Sequence, residues 1–252
     1  MSDLPPPPPP NMQPPPGYVA YGGHSMNAGP TSTVKSLGSA LTVLLVIMIP
    51  AQILAVFQQL QVIDAARDFL DGSISEQTFE DKASGGAGSI GGLLVIPVAV
   101  LTMILMYRMG KNVRLMGRRT TFGPGWGIAG WFTPPCVIYA VPWLMFRELW
   151  KASDATISAG DESWRNNRVP ALFNVWWVLY GLLPLIAITT SASYFAQFRT
   201  GSPEWADIAE KFDDFATINL VLSVITIGTV VVYLVMLRQL VARHMDATGE
   251  AR

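Results

Sequence analysis

The sequence predicts an all-α integral membrane protein in which four transmembrane helices surround a central Pro/Gly/Trp-rich segment that is re-entrant or interfacial. Three observations predict it. Of the 252 residues, 50% are hydrophobic and only 14% charged, with a mean hydropathy of +0.35, more apolar and less charged than a soluble domain of this length. Four apolar runs, about 39–60, 90–107, 171–192 and 216–237, approach the roughly 20 residues with which a helix crosses hydrocarbon. The third observation is the charge of the connections. Arg108, Lys111, Arg114, Arg118 and Arg119 follow the second run; Arg147, Lys151, Arg165 and Arg168 precede the third; Arg238 and Arg243 follow the last. Since cytoplasmic loops are enriched in lysine and arginine, all three regions are expected inside, with both termini.

Residues 1–36 contain "PPPPPP" and "PPP" among glycines, a composition that buries no core and favours solvated polyproline II. A disordered cytoplasmic tail is expected there, as a spacer or as a strip for a Pro-reading partner. No cleavable signal peptide fits, because the first apolar run begins only near Ser39. That run is extended by Ile63, Ala66 and Leu70 at helical spacing, so the first helix should continue past the bilayer. The acidic connection 61–89 holds Ser73 and Glu76, which resemble a capping box opening a short second helix. The second span carries Pro97, tolerable where neighbouring helices satisfy the freed carbonyl. Gly88 and Gly92 before it stand at small-xxx-small spacing, which reads either as a close helix approach or as a glycine linker.

Residues 124–153 decide the topology. If they crossed, the basic loops on either side would lie on opposite faces, whereas a segment that enters and returns keeps every basic loop inside. Pro134, Pro135 and Pro142 also cannot share one regular helix interior, and irregular backbone at membrane depth must be packed by protein or face water. Trp126, Trp131, Trp143 and Trp150 suit a stretch that meets the interface repeatedly. After Pro142, Phe146, Leu149 and Trp150 form one apolar face, with Arg147, Glu148 and Lys151 elsewhere. A fifth crossing is the alternative.

Before the last span, Ser202 and Pro203 are expected to open an amphipathic helix whose apolar face holds Trp205, Ile208, Phe212 and Phe215. The domain then reads as 37–240, with a cytoplasmic tail over 241–252.

Little chemistry is legible. A net charge of -1 supplies no field for nucleic acid. One cysteine, Cys136, and two histidines, His24 and His244, make no metal constellation. Gly125, Gly127 and Gly130 satisfy GxGxxG, but no strand–turn–helix context surrounds them, so they read as close packing. With no histidine in the body of the chain, a serine nucleophile with a histidine base is not expected, and no cofactor is implied. The four spans contain no ionisable side chain of the kind a transporter usually carries. Arg114, Arg118 and Arg119 are candidates for anionic-lipid contact.

The stretch "PGWGIAGWFTPPCVIYAVPWLMFRELWKASD", with Trp164 in "ESWRNNRVP" and the later "WWVLYGLL", resembles the family called domain of unknown function 4328. The resemblance spans about 37–240 and rests on Pro124, Gly125, Trp126, Gly127, Gly130, Trp131, Phe132, Pro134, Pro142, Arg147, Glu148, Trp150 and Trp164. Pro135-Cys136 departs from the polar residue often found after the proline. It implies a multi-pass actinobacterial membrane protein with a proline-rich N-terminus and no established activity. The expectation is a non-enzymatic interaction or scaffold protein of the cytoplasmic membrane, bound to anionic headgroups and to a partner of the tail. The alternative is a small channel or transporter subunit with 124–146 as pore element.

Overall fold

The computed structural model describes residues 31–85, 90–133, 140–182 and 204–250, and among these every regular element is helical. Three helices are long and apolar enough to cross a membrane: α1 (Lys35–Leu70), α3 (Ile90–Leu115) and the last helix, α8 (Ala216–Thr248). At 36 residues, α1 is about 54 Å long, well beyond the roughly 30 Å of hydrocarbon. It is therefore long enough to extend past a bilayer, and the helix continues through Ile63, Ala66 and Leu70 as their spacing predicts. Pro50 and Pro97 lie inside α1 and α3 without ending either helix.

Contacts fix the directions. Gly38 of α1 meets Val241 of α8, and the Ser223 hydroxyl lies 2.9 Å from Gln59 Oε1, so these helices are antiparallel. Thr102 with Tyr233 and Asn112 with His244 make α3 parallel to α8. One end of the bundle thus gathers Val34, Arg108, Asn112, Arg118 and Arg243, which we call the basic end. The opposite, acidic end carries a small separate core.

That core is built from α2 (Glu76–Gly85) and α7 (Trp205–Asp214) on the projecting end of α1. Phe79, Ala65, Ala66 and Ala209 are fully buried there. Phe69 stacks on Phe79 at 5.3 Å, and Trp205 and Phe212 meet Phe79 edge-on. Both caps differ from expectation. Ser75, not Ser73, receives the Thr78 amide, because Ser73 is held back by its own amide on the Asp68 carbonyl. Glu204 begins α7, with Asp207 accepting its amide; Ser202 and Pro203 lie outside the described residues, as does Gly88.

The main core occupies the basic half. Leu41, Leu45, Met106, Met109, Met145, Phe146, Phe173, Met236 and Leu240 are buried in one cluster. Outward, Val46 and Ile47 on α1, Leu93 and Ile96 on α3, and Val221 and Val224 on α8 are exposed, an apolar girdle of the kind that belongs in lipid. The third predicted span is described in its first part only, as α6 (Ala171–Trp177) continued by a π turn, Val178–Leu182; 183–192 lie outside the described residues. The last helix does not stop near Leu237: it runs to Thr248, with Val241, His244 and Met245 buried.

Candidate functional site

The basic end is closed by segments from 116–133 and 140–170. After α3, Gly117 turns the chain at φ 74, and Arg118 points inward, 4% exposed. Its guanidinium donates to the carbonyls of Ala152, of Asp154 (2.6 Å) and of Ile157 (2.8 Å). Burial lowers its pKa, opposed by the nearby Asp154 charge, yet a guanidinium stays charged and supplies the donors that these three carbonyls need. Arg118 therefore cannot face headgroups, contrary to the expectation; Arg114 and Arg119 remain exposed.

From Thr121 the chain runs back along α3. Pro124 lies against Gly110, and a Cβ at Gly127 would come within 2.7 Å of the Tyr107 amide nitrogen. Gly127 and Gly130 thus serve close packing, whereas a Cβ at Gly125 would meet open space: α4 (Trp126–Ala129) lies on α3, and the 3-10 turn Gly130–Phe132 follows it. Trp126 and Phe132 are exposed, Phe132 at 74%, whereas Trp131 turns inward to Tyr180, 5.7 Å away. Pro134 lies outside the described residues. On the return, α5 (Ala140–Ala152) keeps Pro142 in its first turn, where a missing amide costs nothing. Gly130 meets Val141.

The polar residues of α5 hold this structure together. Glu148 accepts the amides of Thr121 (2.6 Å) and Phe122 (3.1 Å) through its two oxygens, so it closes a turn. The Trp150 indole donates to the Arg168 carbonyl, and Arg243 sits over its ring at 4.8 Å while reaching Asp154 at 2.8 Å. Asp154 also accepts from the Thr156 hydroxyl, the first of the bonds that hold its carboxyl below the usual range. Trp143 stacks on Trp177 at 4.6 Å, beneath the Arg147 guanidinium. Trp164 is buried, 1% exposed.

One buried group escaped the sequence. His244 lies at 0% exposure between Ser153 and Asn112, seven residues past the end of the last span that the sequence predicts, about 216–237. The Asn112 amide is pinned by Ser32, whose N–H donates to Oδ1 and whose carbonyl accepts from Nδ2, both at 2.8 Å. Its other N–H then points to His244 Nε2 at 3.2 Å. These partners assign the proton to Nδ1, which donates to Ser153 Oγ at 2.7 Å. The imidazole therefore ties three segments and is not poised to take the serine's proton. A legible signal existed: Tyr233, Leu237, Leu240, Val241 and His244 follow one helical stripe, which continues past the apolar run.

Between the long helices lies an apolar cavity of about 430 Å³, lined by Met48, Thr102, Trp131, Trp176, Tyr180 and Tyr233 among others. The Thr102 hydroxyl donates to the Val98 carbonyl, so it accepts from Tyr233, 2.6 Å away. No carboxylate, lysine or arginine lines this cavity among the described residues, and no group of potential metal ligands occurs among them.

A family model described as a domain of unknown function (DUF4328) matches residues 71–242. It begins just where α1 ends. Neither the curated proteins nor the solved structures compared with the chain give a match.

Proposed function

Because the chain belongs to the DUF4328 family, a domain of unknown function, its role has to be argued from its own geometry, and we propose a non-enzymatic interaction or scaffold protein of the cytoplasmic membrane. In this reading the chain crosses four times, residues 124–153 enter and return on the cytoplasmic side, and both termini are inside. The setting is the actinobacterial one that the resemblance implies.

The observation that carries the topology is the placement of both ends of the central segment. Arg118 and Ala152 are joined by a hydrogen bond, while Gly130 meets Val141 at the far end, so the segment supports a hairpin open toward the basic end. Direction supports the crossing count. Arg168 lies at the basic end and α7 at the acidic end, which favours a crossing between them, and the apolar run 171–192 is long enough to supply it.

The same packing favours a platform over a pore. Met106, Met109, Met145 and Phe146 are all within 1% of full burial and fill the basic half beneath the cavity. The N-terminal segment leaves this platform: Asn112 holds Ser32, and the Glu250 carboxylate accepts the amides of Val34 (3.0 Å) and Lys35 (3.1 Å) at the start of α1. A partner bound to the proline-rich residues before it would be delivered to the membrane face.

The test is paired. Purified protein in sealed vesicles should carry no flux of ions or small solutes above protein-free vesicles, while affinity capture from native membranes should recover one partner that substitution of the tail prolines by alanine releases. Robust flux would replace this reading by the channel alternative, in which 124–146 lines the path.

A further inference from the structure

A second, smaller cavity opens at the basic end, between the 119–122 turn, α5 and the 3-10 turn Glu162–Asn166. Its volume is about 290 Å³, near the lower bound of about 300 Å³ for small-molecule sites. Arg147, Lys151 and Arg165 supply its cations, Leu144 an exposed apolar edge, and Trp164 one of its walls.

Two of its groups lack something. Arg147 Nε and Trp164 Nε1 are both buried with no hydrogen-bond acceptor. Buried donors are nearly always paired, so each orphan lacks an acceptor, and both belong to residues that line this one cavity. The missing partner is an acceptor. Arg147 has no carboxylate partner among the described residues; its guanidinium rests on the Trp143 ring at 4.5 Å.

The acidic groups nearby are already engaged. Glu148 spends its two oxygens on the amides of Thr121 and Phe122, and Glu162 pairs with Arg165 at 2.6 Å. Lys151 donates one N–H to the Arg165 carbonyl, leaving two of its three for a ligand. Three cations face two carboxylates that are already engaged, so the local charge is net positive for an incoming anion.

We propose that this cavity binds a phosphate ester, with Arg147, Lys151 and the Trp164 indole as donors. Arginine and lysine suit phosphate oxygens through charge-assisted hydrogen bonds. Leu144 beside the cations fits the boundary where the headgroup of an anionic phospholipid meets its acyl chains, and a lipid is the source the site favours. That source rests on the membrane placement proposed above; the phosphate chemistry does not. The site is distinct from Arg114, Arg118 and Arg119, the arginines that the sequence alone singles out.

The experiment uses the full-length protein in detergent, offered phosphatidylcholine with and without phosphatidylglycerol, with lipid retention read by native mass spectrometry and the melting temperature read in parallel. Soluble glycerol phosphate forms the second arm. Wild type should retain phosphatidylglycerol over phosphatidylcholine by at least about tenfold, and Arg147→Gln should remove about that factor. Arg114→Gln, an equal loss of charge outside the cavity, should keep the preference. Trp164→Phe keeps an aromatic ring, smaller than the indole, and removes the donor, so it should weaken retention without matching the loss in Arg147→Gln, and its lipid-free melting temperature separates the lost donor from lost packing.

A shift produced by glycerol phosphate and not by the lipid, and lost in Arg147→Gln, would keep the phosphate site and assign it a soluble ligand. Equal retention of phosphatidylglycerol by wild type and Arg147→Gln, with no response to glycerol phosphate that depends on Arg147, would overturn the proposal. Arg147 is only partly buried, and an unchanged lipid-free melting temperature for Arg147→Gln separates loss of ligand from loss of fold.

Discussion

Gly127 has no room for a methyl group, because the atom it would strike is the Tyr107 backbone nitrogen at 2.7 Å and not a movable side chain. At Gly130 the obstacle is the Val141 side chain, which can turn. Gly127→Ala should therefore lower the melting temperature more than Gly130→Ala, with overpacking of about 1–3 kcal/mol at the former. A calorimetric or fluorescence melt of the detergent-solubilised protein gives the order directly. Arg118 makes a sharper case: Arg118→Gln should destabilise by about 3 kcal/mol, as buried carbonyls lose a charged partner, while Arg119→Gln should be nearly silent.

Asp154 adds a pH dependence. Its folded pKa is depressed, chiefly by the Thr156 hydroxyl bond, so its contribution is present above the ordinary carboxylate value of about 3.9 and is lost as pH falls through the folded value. Asp154→Asn should flatten the fall in stability below about pH 4 and leave it unchanged near neutrality in slope. The same fall in wild type and variant would remove Asp154 from this role.

Among elements, the N-terminal clasp is the one most open to test. Asn112→Ala removes both Ser32 bonds, and the Ser32 amide should then exchange with solvent at least about tenfold faster, with the α3 amides unchanged. The helices themselves were largely legible. Spacing alone placed the projecting end of α1, the apolar face of α7 and the Phe146/Leu149 face of α5, because these depend on local period and on which face turns inward. The caps were not, since Ser73 and Ser75 are equally good candidates until the Asp68 carbonyl takes the Ser73 amide. Arg118, His244 and Glu250 were not legible as packing groups for a related reason: each serves a segment far away in sequence, and periodicity carries no information on who meets whom. A basic residue beside a span reads as a topological signal whether it faces lipid or the carbonyls of a neighbouring helix.

At the scale of the molecule, the two ends are chemically opposite and held differently. The acidic end is an aromatic knob on a helix longer than the hydrocarbon of a bilayer is thick; the basic end is a platform of buried polar bonds and indole stacks that closes the bundle. The whole account turns on whether residues 124–153 leave and return on one side. In a Cys136→Ser background, single cysteines at Ser73, Thr121 and Ser158, all exposed, can be labelled in intact cells with a membrane-impermeant thiol reagent. Labelling at Ser73→Cys from outside, with Thr121→Cys and Ser158→Cys reacting only after permeabilisation, is the expected result; labelling of Ser158→Cys in intact cells while Thr121→Cys stays protected would mean that the segment crosses, and would contradict the account.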